Sequence, residues 1–250
     1  MCLVVVLHRI RPDLPLVVAA NRDERLDRPA TAMTVLQEAG PRILGGRDHL
    51  AGGTWLAVNG HGVVAALTNL PSPARDPARL SRGTLPLRLA AHRDAASAVA
   101  ALVAETGPGA TNPAWLMVAD RETAWYLDWT GTGDGRPQRL DPGVHVLENS
   151  PLDVETPKSG AVRAAVAPLV GLPAESLRAA LFGMLGSHAV PEGGPAERPP
   201  ETRANCVHFG GYGTRSSTLV TVGPGLPGVW WTDGPPCVTP LRAAEAWTTG

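Results

Sequence analysis

The sequence opens Met1-Cys2, and a cysteine in that place has a chemistry of its own. A small side chain at position 2 permits removal of the initiator methionine, which leaves the Cys2 α-amine beside its own thiol. An α-amine titrates at about 7.7–8.0 and a thiol at about 8.5. Near neutrality the amine can take the thiol proton, directly or through one water. This is the N-terminal variant of base-activated nucleophilic catalysis. Cys2 is therefore the expected chemical centre; the plain alternative is a small hydrophobe entering a strand. The second feature is Asn21-Arg22-Asp23-Glu24, directly after a strand expected over residues 16–20. If residues 3–7 and 16–20 form a hairpin, Asp23 returns close to Cys2 and can reach its ammonium or thiol. The plain alternative there is a solvated charged turn, and further charges at Arg25, Asp27 and Arg28 dilute the signal.

The elements needed to hold such a site are legible as apolar runs and breaks. Short β-rich runs at 3–7 and 16–20 flank a proline-containing turn, and 43–46, 54–59 and 63–68 follow as further strands. Asn59-Gly60-His61-Gly62 is a hairpin turn signal. Residues 85–105 have helical spacing, stopped by Gly107-Pro108-Gly109. Runs 115–119 and 123–129 resemble a hairpin, and 144–148 reads as one more strand. Two helices are expected over 158–170 and 174–185, then a Pro- and Gly-rich mobile loop over 187–204. Strands return at 217–222 and 229–232. Strands, helix, strands, helices, strands is a layered α+β order rather than a βαβ alternation.

Seven segments, in order, carry a resemblance: Cys2, Asn21-Arg22-Asp23-Glu24, Gly52-Gly53-Thr54-Trp55, Leu67-Thr68-Asn69, Ser81-Arg82-Gly83, Asn149-Ser150-Pro151 and Gly213-Thr214-Arg215-Ser216-Ser217-Thr218. Together they resemble the NRDE-motif family, also called the transport and Golgi organisation family. That family in turn resembles the cysteine N-terminal-nucleophile (Ntn) hydrolases of the choloylglycine hydrolase and penicillin V acylase group. The resemblance implies a single Ntn-hydrolase-like domain over 1–250, a four-layer αββα sandwich. It implies that Cys2 is the nucleophile, that Asp23 holds its amine, that Asn69 and Asn149 orient the nucleophile and stabilise the oxyanion, and that Arg215 lies near the thiol. Asn21, Arg22, Trp55 and Arg82 are the expected substrate-binding residues. One departure stands out. The hydrolases carry an arginine three residues before the aspartate, where this chain has Ala20. Arg22 is the available substitute, though strand alternation is expected to turn it to the other face.

The activity implied is an amidohydrolase or acyl transferase acting on a nonpeptide C–N bond or a thioester. The alternative is a non-catalytic haem or acyl-CoA/lipid binding and trafficking protein on the same fold. No cofactor is required; haem is the alternative ligand. A net charge of -1 without a basic stripe argues against nucleic acid as a partner. No run reaches the roughly 20 apolar residues that span a bilayer. Three cysteines without a CxxC pair suit a reducing cytosol, and Cys206 and Cys237 read as inert buried thiols. The seven histidines are scattered without a ligand-spaced pair, so no metal site is expected.

Overall fold

Leu3-Val4-Val5-Val6-Leu7 is apolar without alternation because both faces of its strand are covered. Val4 and Val6 face a second sheet, while Leu3, Val5 and Leu7 face helices. The strand, β1 (Leu3–His8), forms the expected hairpin with β2 (Leu16–Arg25), Leu3 opposite Asn21 and His8 opposite Leu16. The computed structural model describes residues 2–70, 76–131, 135–194, 199–245 and 247.

Among these residues two antiparallel sheets stack face to face. The first runs β10 (Gly143–Leu147), β1, β2, β12 (Tyr212–Val222), β13 (Gly228–Trp231), β14 (Arg242–Ala243), with β11 (His208–Phe209) beside β12. The second is a meander in chain order: β3 (Ala30–Gln37), β4 (Ile43–Asp48), β5 (Leu56–Asn59), β6 (Val64–Asn69), β7 (Ala114–Ala119), β8 (Ala124–Trp129) and β9 (Gln138–Leu140). Val4, Val6, Val18 and Ala20 meet Leu44, Val58, Ala66 and Trp115 in the layer between them.

Helices α1 (Thr84–Ala90) and α2 (Ala95–Glu105) cover the outer face of the second sheet with Leu85, Leu89, Val99 and Leu102. Helices α3 (Pro157–Val166) and α4 (Ala174–Leu185) cover the first with Val162, Leu177 and Leu181. The order helix, sheet, sheet, helix is the αββα sandwich expected.

The local expectations differ at several elements, the short strands β9, β11 and β14 among those not expected. The single helix over 85–105 is two, because Asp94 is an N-cap whose side chain accepts from Ser97 N–H and starts α2 afresh. Strand β3 was not expected; only Ala32 in it is buried, while Met33 and Val35 are partly covered against the core. Strand β2 does not stop at Ala20 but runs on to Arg25, paired with β12 from Tyr212 onward. Residues Pro200–Arg203 of the expected 187–204 loop form a short 3-10 turn, and 195–198 of that loop lie outside the described residues. No helix among the described residues is long and apolar enough to cross a membrane.

Candidate functional site

The extension of β2 decides the site. Continuing the β1–β2 register by one step past Leu3 and Asn21 sets Cys2 opposite Arg22. Cys2, Ala20 and Arg22 then share the face between the sheets, since 20 and 22 are two residues apart. The expectation that alternation would turn Arg22 away is corrected: Arg22 stands on the face Ala20 leaves open. There it lines a pocket of about 150 Å³ with Cys2, Asp23, Asp48, Trp55, Asn69 and Arg82. Its guanidinium lies 3.2 Å from Asp48 and 4.3 Å from the centre of the Trp55 ring. Arg28 holds the same Asp48 at 2.7 Å, and the backbone N–H groups of Leu50 and Ala51 donate to it. Sequence reading passed over Asp48, which has no motif around it; its role comes only from the fold of the 48–51 turn.

Cys2 is 6 % exposed and its backbone nitrogen donates to Asn149 Oδ1 at 2.7 Å. Asn149 in turn donates through Nδ2 to the Asn69 carbonyl. Both amide ends of Asn149 are therefore committed to holding the chain start against β6. Of the two asparagines, Asn69 is the one that lines the pocket. Burial pushes the Cys2 thiol above its ordinary value, while the Asp23 backbone N–H and the Arg22 charge pull the other way.

Asp23 is 2 % exposed. Its Oδ1 accepts from the Thr214 hydroxyl at 2.6 Å, and its Oδ2 has no partner among the described residues. Burial raises the Asp23 carboxyl; the Lys158 ammonium and the Thr214 hydroxyl oppose it. Lys158, the only lysine, is itself buried with Nζ on the Ala204 carbonyl at 2.8 Å. Neither Lys158 nor Thr214 was singled out from sequence, although Thr214 sits inside a quoted motif.

The glycine-rich motifs explain each other. Gly53 has φ +82°, and a Cβ built there would lie 2.3 Å from the Gly83 carbonyl oxygen. Thr54 N–H donates to that oxygen at 2.8 Å, so the 52–55 and 81–83 segments clasp at the pocket rim. Trp55 seats flat against Gly46, where any side chain would collide with its ring. Arg82 reaches the rim and donates to the Pro113 carbonyl at 3.5 Å.

Two expected residues are elsewhere. Arg215 is the extra residue of a β-bulge between Thr214 and Ser216, and its guanidinium donates to the Arg25 and Leu26 carbonyls, away from Cys2. Arg22 occupies the place beside the thiol that Arg215 was expected to fill. Asn21 faces the helix layer: its Nδ2 donates to the Leu185 and Asn205 carbonyls and its Oδ1 accepts from Ser217. It supports the sheet and does not line the pocket. The reading of Cys206 and Cys237 as inert buried thiols is corrected in one respect: Cys206 is buried but Cys237 is only half-buried, and the two sulfurs lie 3.6 Å apart.

Comparison with known proteins places this arrangement. The human Transport and Golgi organization protein 2 homolog is 30% identical over 228 residues, covering 83% of this chain and 82% of that one. The Mus musculus homolog is 28% identical over the same shares. Among solved structures, a mutant conjugated bile acid hydrolase from Clostridium perfringens superposes with TM-score 0.56 at 10% identity, covering 98% of this chain and 97% of that one. The Caenorhabditis elegans N-acylethanolamine-hydrolyzing acid amidase ortholog gives 0.52 at 10%, covering 87% and 92%. These two likenesses establish the Ntn-hydrolase fold. The Transport and Golgi organisation 2 family profile matches residues 1–225, and the chain belongs to that family.

Proposed function

We propose that the protein is an acyl-transfer enzyme of the Ntn type, cleaving a small nonpeptide amide or an acyl thioester with Cys2 as nucleophile once Met1 is removed. Met1 itself lies outside the described residues. One observation carries the reading. The Cys2 nitrogen is held by Asn149 at 2.7 Å, and the neighbouring buried Asp23 has one carboxylate oxygen unpartnered. A freed α-ammonium at Cys2 supplies the charge that this oxygen lacks. Two fold neighbours are named as a hydrolase and an amidase, but they share only the architecture.

In the proposed reaction the α-amine accepts the thiol proton and Sγ attacks the carbonyl carbon. The new S–C bond forms as the carbonyl π electrons move to oxygen. Asn69, which lines the pocket, is assigned as the donor to that oxyanion; removing one such donor costs about 3–4 kcal/mol in other acyl-transfer enzymes. Collapse breaks the C–N or C–S bond of the substrate, and the ammonium returns its proton to the leaving group. Water, or a second acceptor, then gives a proton to the Cys2 amine and attacks the acyl carbon; the S–C bond breaks, the acid or acylated acceptor leaves, and the Cys2 sulfur takes the proton back from the amine. The pocket of about 150 Å³ is partly open to solvent and comparable in volume to a cavity able to hold one benzene ring. It suits a small acyl head better than a haem macrocycle.

The test is labelling by an electrophilic acyl probe read by mass spectrometry. The reading expects one adduct, on Cys2, absent in Cys2→Ala. An adduct that persists undiminished in Cys2→Ala overturns it.

A further inference from the structure

Four residues that are scattered in sequence meet at one place outside the pocket. His188 follows α4, Cys206 follows the 200–203 turn, His208 opens β11 and Cys237 lies in the loop after β13. One ligand atom from each lies within 4.8 Å of all the others. Cys206 Sγ is 3.6 Å from Cys237 Sγ and 3.6 Å from His208 Nε2, and His208 Nε2 is 3.3 Å from Cys237 Sγ. A tetrahedral zinc ion with bonds of about 2.3 Å to sulfur and 2.0–2.1 Å to nitrogen sets those edges at about 3.8 Å for S–S and 3.6 Å for S–N. These three separations are within a few tenths of an ångström of those figures. The His188 ring is oriented against the cluster by Nδ1, 3.0 Å from the Cys206 carbonyl.

We propose that His188, Cys206, His208 and Cys237 form a structural zinc site of the Cys₂His₂ type. Two thiolates balance the charge of Zn²⁺, and the sulfur–imidazole set selects zinc over magnesium or calcium. Four protein ligands close the shell, which makes the site a staple rather than a second catalytic centre. The sequence reading expects no metal, because the segments that carry these four side chains are far apart in the chain and meet only in the fold.

The staple has a defined load. Segment 204–207 is fixed by Cys206, whose N–H donates to the Ser187 carbonyl at 2.9 Å. Its carbonyls at Ala204 and Asn205 accept from Lys158 and Asn21. Val207 N–H donates to Thr214 Oγ1 at 2.9 Å, and that hydroxyl donates to Asp23. Holding this segment therefore holds the supports of the buried carboxylate beside Cys2. The metal assignment stands without the acyl-transfer reading.

The test uses the full chain purified under reductant. Elemental analysis is expected to give about one zinc per chain. Replacement by Co²⁺ should give the intense visible bands of a tetrahedral sulfur-ligated ion. Cys237→Ser and His208→Ala, both at surface loops or a two-residue strand, should each weaken metal binding by at least about tenfold, whereas Cys2→Ala should leave it unchanged. Substoichiometric zinc without a tetrahedral Co²⁺ spectrum overturns the proposal. So does an intact mass two hydrogens light under reductant, which identifies a Cys206–Cys237 disulfide instead.

Discussion

Asp23→Asn separates stability from reactivity. The buried carboxylate has one oxygen satisfied by Thr214 and one unpartnered, and burial disfavours its charge. Asparagine keeps the shape and the acceptor toward Thr214 while removing the charge. In protein that retains Met1, the variant should be at least as stable as the parent in urea, since burial disfavours the charged carboxylate and one of its oxygens has no hydrogen bond. In processed protein the opposite force appears. An ammonium on Cys2 at about 4 Å from the carboxylate is worth about 4 kcal/mol at an effective dielectric constant of 20. Transfer of the thiol proton to the amine loses that support, so the thiolate–ammonium population falls by up to about 10³-fold. The assay is the second-order rate of Cys2 modification at pH 7, measured on protein of confirmed N-terminus and unchanged near-UV circular dichroism. A fall of 10²–10³-fold is expected by this estimate. A rate within about threefold of the parent, with Met1 gone, refutes the role given to Asp23.

Other perturbations follow from single contacts. Thr214→Val leaves the Val207 N–H and Asp23 Oδ1 both buried and unpaired, and should cost about 2–5 kcal/mol in urea unfolding. Gly53→Ala meets the Gly83 carbonyl at 2.3 Å in a left-handed backbone, and should lower Tm and open the pocket rim to protease. His8 is buried with both ring nitrogens unpartnered, and burial lowers it from 6.5 to about 4. Its folded value lies below its unfolded one, so the neutral-state stability is present above pH 6.5 and is lost as pH falls toward 4. About 3 kcal/mol should disappear across that window, and His8→Leu should flatten the acid limb of the urea midpoint.

The site was legible where chemistry and strand pattern coincide. Cys2, Asp23, Asn69, Arg82 and Trp55 line one pocket, and Asn149 bonds the Cys2 nitrogen, although they span most of the chain. The doubly apolar β1 and the amphipathic α2–α4 carried the layer order. What was hidden depends on geometry that leaves no local mark. The bulge that turns Arg215 outward is a one-residue register shift between β2 and β12. Asn21 looks like a site residue by adjacency, but strand parity sends it to the helix layer with Ala19. Asp48 matters because Arg22 on β2 and Arg28 in the turn after it converge on it. The His–Cys cluster is invisible for the same reason.

The central claim is that Cys2 is a free N-terminal nucleophile held by Asn149 and Asp23. Intact-mass analysis of the purified full chain, before and after an acyl probe, tests it most directly. The account predicts a mass lacking Met1 and a single added acyl group that maps to Cys2. A chain that keeps Met1 throughout has no free Cys2 amine and contradicts it.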